Sequence, residues 1–260
     1  MGKRGLLLLL FCGSALAADP GPAGIWKVGD RYRFEFSVAL DQFENRLGKK
    51  VDAPGWTLDE VYVDTILAVD AGRPTRVSRR YSKFELCKPG GKSLRFGPND
   101  FSDSVVLEKG KTVWKVHRPA PKYAASIFKV RGSFCRWARF ADGLKDTKKF
   151  PIDEKALGDL FPRFLVGRSK GRFESKNPNS QQRADGPVWT VGLKMGASFK
   201  PRLGGTLYAY NCEGAWVVAE RSRRIVSLKL QGKPMYLVKK NDFYGKLTVF
   251  MSLDPLAKEK

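Results

Sequence analysis

Three short patterns in the chain bring together residue types that could do chemistry. The first is Gly167-Arg168-Ser169-Lys170-Gly171, a literal G-x-S-x-G. In α/β-hydrolases that pentapeptide presents a nucleophilic serine on a sharp turn between a strand and a helix, with the activating histidine later in the chain. The single histidine here, His117, lies upstream of Ser169, so the base is missing from its place. A helical pattern precedes the motif and a polar stretch follows it, the reverse of an elbow. Gly167 and Gly171 read instead as turns bounding a short basic strand.

The second pattern is Ser126-Ile127-Phe128-Lys129, an S-x-x-K of the penicillin-binding type. Its companion K-T-G is absent, Lys111-Thr112-Val113 being the nearest miss. Phe128 and Val130 alternate with Lys129 and Arg131, which reads as a strand, and strand residues three apart point to opposite faces. The third pattern is acidic. Asp59, Glu60 and Asp64 cluster in a chain where acids are scarce, and glycoside hydrolysis needs only two well-placed carboxylates. On a strand Glu60 and Asp64 share a face and Asp59 takes the other. His117, before Arg118-Pro119, reads as a surface or hydrogen-bonded residue. Gly90-Gly91 and Gly204-Gly205 read as turns rather than phosphate loops. No C-x-x-C occurs and no cysteine lies near His117, so neither a metal nor a cofactor is expected.

The elements that must position these residues are mostly strands. Tyr32, Phe34, Phe36, Val38 and Leu40 alternate with polar residues, the signature of a half-buried strand. Leu58 to Val69 is apolar on both faces and reads as a central strand, followed by Thr75 to Leu86 after the turn at Asp70 to Pro74. Val105 to Leu107 and Thr112 to Val116 flank a hairpin turn. Ser126 to Arg131 and Phe134 to Phe140 continue the strands. Asp153 then caps a helix near 153–161, with Ala156, Leu157, Leu160 and Phe161 at helical spacing. Pro162 ends or kinks it. Residues 175–186 read as an exposed loop. Strands resume at Pro187 to Leu193, Gly205 to Tyr210, Ala215 to Glu220, Arg223 to Leu230, Met235 to Lys239 and Lys246 to Leu253.

The pattern is mainly β: about a dozen strands and one or two short helices in a curved antiparallel sheet, as a barrel, half-barrel or sandwich. In element order alone it resembles the half-barrel lipoprotein carriers of the bacterial periplasm, in which helices cover a curved sheet. No motif residue lies behind that likeness.

Lys3 and Arg4, the apolar run Leu6 to Phe11 and the Ala15-Leu16-Ala17 site read as a secretory signal peptide over 1–17. One β-rich domain spans 18–254 and a tail 255–260. The expected protein is exported, periplasmic or extracellular, and not transmembrane. Cys12 leaves with the signal. Cys87, Cys135 and Cys212 then allow one disulfide and one free thiol, with Cys87–Cys135 the favoured pairing.

Charge is the strongest compositional signal. The chain carries 48 Lys plus Arg against 26 Asp plus Glu, a formal +22. Between Lys109 and Lys149 the only acids are Asp142 and Asp146. Inside a cell such a field points to nucleic acid; outside it, the partners are anionic polysaccharide, cell-wall polymer or lipid headgroups, and no nucleic acid is expected. The candidate polyanion face is Lys129, Arg131, Arg136, Arg139, Arg223 and Lys229, with Phe134, Trp137 and Phe140 interleaved among the arginines. Basic composition throughout a secreted proteome would give a similar charge. The leading expectation is a non-catalytic binding or structural protein. A carrier that holds a lipid-like apolar ligand in a curved-sheet cavity under a helix is the alternative. A carboxylate-dependent hydrolase comes third.

Overall fold

The computed structural model describes residues 26–88, 92–110, 114–131, 165–170, 179–183, 186–201, 208–219, 225–234 and 243–257. Its strands are β1 (Arg31–Arg46), β2 (Lys49–Asp70), β3 (Arg73–Cys87), β4 (Leu94–Phe96), β5 (Val105–Lys109) and β6 (Trp114–Val116). The helix α1 (Lys122–Arg131) follows, then β7 (Leu165–Lys170), β8 (Asn179–Arg183), β9 (Gly186–Pro201), β10 (Tyr208–Ala219), β11 (Ile225–Pro234) and β12 (Phe243–Leu256).

All twelve strands belong to one sheet, in the order β6-β5-β3-β2-β1-β12-β11-β10-β9-β7. Every adjacent pair in that order is antiparallel. β4 shares an edge of β3 with β5, and β8 shares an edge of β9 with β7. The first and last strands meet at the centre, where β1 pairs with β12 from Arg31↔Leu256 to Glu44↔Phe243. The sheet is curved and open, so the closed barrel and the sandwich drop out of the three expected architectures.

Local chemistry explains the curvature and the tight turns. A Cβ on Gly55 would lie 2.1 Å from the Leu40 carbonyl oxygen, and one on Gly214 would lie 1.9 Å from that of Lys229. Neighbouring strands therefore press in where only glycine fits, as bends in curved sheets require. Leu47-Gly48 and Ala71-Gly72 all have positive φ. Two such residues in a row make the primed turn that matches strand twist, and they close the β1–β2 and β2–β3 hairpins.

Alternation decides which face is buried. Phe34, Phe36, Val38 and Leu40 of β1 sit beside Leu253, Met251, Val249 and Leu247 of β12 and beside Tyr62, Glu60, Leu58 and Trp56 of β2. All are buried, and the same inner face runs on through Leu228 and Leu230 of β11 and Trp216 of β10. Trp26, Trp56, Trp114 and Trp216 are core residues.

Three expected elements need correction. Ser126 to Arg131 is helix, not strand. Its buried residues, Tyr123, Ala124, Ile127 and Arg131, form a helical stripe. That stripe begins before the six-residue window in which Phe128 and Val130 had looked alternate. The loop at 175–186 contains the edge strand β8, paired with Gly186 to Thr190. Its Ser180 to Arg183 are exposed, and backbone pairing rather than apolar content makes it a strand. Gly205 to Tyr210 and Ala215 to Glu220 also merge, within the described residues, into the single strand β10, because Asn211 to Gly214 stay in register with β9 and β11. The strands expected at 134–140 and 235–239 and the helix at 153–161 lie outside the described residues.

Candidate functional site

The inner face of β2 carries charge at its centre. Glu60, Tyr62 and Asp64 all point inward, and each is at most 2 % exposed. β3 places Tyr81 opposite Tyr62 and Arg79 opposite Asp64. Arg79 Nε donates to Asp64 Oδ1 and Nη2 to Oδ2, both at 2.7 Å. This is the two-pronged geometry in which guanidinium and carboxylate bind most strongly. The same guanidinium lies over Tyr62, its Cζ 3.5 Å from the ring centroid. From α1, Arg131 reaches Glu60 with Nε 2.5 Å from Oε1 and Nη2 3.4 Å from Oε2. Both side chains of this second pair are at most 3 % exposed.

Burial dominates the titration of this cluster. It pushes the Tyr62 hydroxyl well up, with Asp64, Glu60 and Tyr81 adding to the rise and Arg79 opposing it. It pushes Tyr81 up as well. For Arg79 burial acts downward, and Asp64, Tyr62 and Tyr81 together more than offset it, so the guanidinium stays firmly charged. Among the described residues the Tyr62 hydroxyl has no hydrogen-bond partner. Glu60 and Asp64 share a face as expected, while Asp59 stands on the outer face, 3.3 Å from Lys83. Bound to guanidinium groups and shut from solvent, the two inner carboxylates are arranged to pin α1 and β3 to β2 rather than to activate water.

The second feature lies at the surface just above. Helix α1 turns Tyr123, Ala124 and Ile127 into the core, and the Tyr123 hydroxyl donates to the Asp103 carbonyl. Its other side shows Lys122, Ala125 and Lys129 to solvent, with Ser126 half-buried between them. Arg118, just before the helix, is also exposed. Arg118, Lys122 and Lys129 make no ion pair among the described residues, and the sequence holds no acid between Glu108 and Asp142. Lys115 differs, since it faces Glu108 across the β5–β6 pair. His117, exposed after β6, places Nδ1 3.2 Å from Glu108 Oε2.

Elsewhere on the surface a few cations are matched. Arg33 meets Glu35 at 3.5 Å, Arg95 meets Glu85 at 2.8 Å and Lys194 meets Glu213 at 3.6 Å. Lys83 lies within reach of both Asp59 and Glu85.

The sequence-derived basic face does not hold together as drawn. Lys129 is exposed, but Arg131, two residues on, is buried against Glu60, because helical geometry turns it inward. Lys229 is exposed on the outer face of β11, its Nζ 5.8 Å from the Phe250 ring centroid. That is the face opposite to the one α1 covers. Arg136, Arg139 and Arg223 lie outside the described residues.

The helix also removes the geometric objection to Ser126 and Lys129, which now stand one turn apart. Lys129, however, is exposed and lacks the apolar pocket or cationic neighbour that turns a lysine into a base. Ser169 lies within β7, its backbone in register with Ala197 of β9. It therefore occupies a strand rather than the apex of an elbow, and Gly167, paired with Phe199, is not a turn.

Cys87, half-buried on β3, and Cys212, buried on β10, are free thiols. The expected Cys87–Cys135 bridge is therefore not formed. The Cys87 sulfur instead lies 3.6 Å from Glu85 Oε1 and 3.8 Å from Arg95 Nη2. Cys135 lies outside the described residues. Burial pushes the Cys212 thiol up to about 12. Among the described residues no group of three or more His, Cys, Asp or Glu side chains could hold a metal ion. No helix among them is long and apolar enough to cross a membrane. In comparison with known proteins, no family profile matches the chain, and no curated protein matches its sequence.

Proposed function

We propose that this chain is an exported, non-catalytic β-rich binding protein that associates with an anionic envelope polymer through the cationic segment from Arg118 to Lys129. One observation carries the reading: three exposed cations lie within a dozen residues without an acidic partner among the described residues, in a stretch of sequence that holds no acid between Glu108 and Asp142. An uncompensated positive patch draws polyanions by its field and releases their counterions on contact. The rigid sheet beneath, with α1 tied down through Arg131 and Glu60, keeps the patch in place.

The apolar-ligand carrier finds less support. The inner-face rings pack on one another, Phe34 on Tyr62 at 4.8 Å and Phe101 on Tyr123 at 5.0 Å between centroids. A carrier needs that face open.

The test is the salt dependence of binding to immobilised polygalacturonate. Three paired cations on a flexible polyanion give a slope of log affinity against log salt of about −2, or roughly 20-fold weaker binding from about 50 to 200 mM salt. Binding that ignores salt would falsify the reading.

A further inference from the structure

Resting on that reading, we infer that the outer stripe of α1 is the polymer-binding site, and that its ligand is a linear polymer with repeated anionic groups rather than a lipid surface. Lys122, Ala125, Ser126 and Lys129 follow one another at i, i+3, i+4 and i+7, so they line one side of the helix. Two helical turns separate the lysines by about 10.5 Å along the axis. Between them stand only a methyl and a hydroxyl, which leave a low saddle where an extended chain can lie with one anionic group at each end. Ser126 offers a hydroxyl to the chain midway.

The helix is also the wrong kind for a bilayer. A helix that lies in a membrane interface buries an apolar face among the acyl chains. Here Tyr123, Ala124 and Ile127 are already committed to the protein core, and the exposed stripe holds no large apolar residue. What remains for a bilayer is the attraction of the two lysines alone, with no apolar contact to add to it. A linear polymer can use both lysines along one strand. Their spacing is fixed in advance, because Arg131 anchors the C-terminal turn to Glu60 and Tyr123 ties the first turn to Asp103. Preorganisation of this kind lowers the cost of ordering the site on binding.

The experiment compares two variants of equal charge loss. K122Q/K129Q removes the stripe; K229Q/K246Q removes two exposed lysines from the outer face of the sheet. Glutamine keeps helix propensity close to that of lysine, and matching thermal midpoints verify folding. Affinity is read by fluorescence anisotropy with labelled polygalacturonate, and by co-sedimentation with phosphatidylglycerol vesicles. The expected result is roughly 30-fold weaker polymer binding for K122Q/K129Q at low salt, from about fivefold per lysine, with a flattened salt slope. K229Q/K246Q should stay within about threefold of the parent. Equal losses in both variants would overturn the α1 site, and the Arg118 to Lys129 segment with it, and leave only the association with an anionic polymer standing, since the field alone would then bind. Tighter binding to vesicles than to polymer would overturn the choice of ligand. A parent protein that binds neither probe would refute the broader reading itself.

Discussion

Replacing Arg79 with methionine should be among the most damaging single changes in the sheet. Arg79 and Asp64 are each at most 1 % exposed, and two 2.7 Å bonds join them. Methionine fills much of the volume but leaves the Asp64 carboxylate in the interior without its guanidinium. Breaking a buried pair in this way costs about 3–5 kcal/mol. For a chain of this size each kcal/mol lowers the melting temperature by roughly 2–4 °C, so the drop should be about 6–20 °C. The double variant Asp64→Leu/Arg79→Met removes both charges. It should recover most of the loss, because a well-packed apolar pair often matches or exceeds a buried ion pair. Urea unfolding of the parent, both single variants and the double variant gives the coupling energy directly. If Arg79→Met cost less than about 1 kcal/mol, or the double variant lost the sum of the singles, the burial argument would be wrong.

Three further outcomes follow from local geometry. Ala71, with φ of 46°, sits in the left-handed region; Ala71→Gly should stabilise by about 0.5–1 kcal/mol in thermal unfolding, and a loss would mean the turn is not strained. Burial raises Tyr62, Tyr81 and Cys212, and Tyr123 is pushed up to about 12. The unfolded chain therefore releases these protons first. Stability from these groups should be complete below about pH 9 and decline as pH climbs toward the folded values; urea midpoints unchanged up to pH 11 would contradict this. Iodoacetamide with peptide mapping should modify Cys87 in the folded protein and Cys212 only on unfolding. Equal rates, or a Cys87 that resists until reduction, would contradict the free, unequal thiols.

The alternation in β1 could be read from the sequence because one face is buried and the other wet, so Phe34, Phe36, Val38 and Leu40 fall into place. The open curved sheet was legible only as one of three closures, since closure depends on pairing among distant strands. Helix α1 differs from the strand expected at Ser126 to Arg131 because two of its buried residues, Tyr123 and Ala124, precede that segment. The inward pair of Glu60 and Asp64 was legible from spacing. For one of their partners the spacing also carries a signal. Counting seven residues outward from each side of the two-residue turn Ala71-Gly72 lands on Asp64 and Arg79. No such signal exists for Arg131, whose meeting with Glu60 depends on how a helix lies across the sheet. The basic face failed for the same reason, as charge density is visible in sequence but its division between two faces is not.

Lysine acetylation footprinting, read by mass spectrometry with and without polygalacturonate at low salt, tests the central claim most directly. The account predicts that polymer slows acetylation of Lys122 and Lys129 severalfold while Lys27, Lys229 and Lys246 react as before. Uniform protection across the surface, or protection confined to the outer face of the sheet, would contradict it.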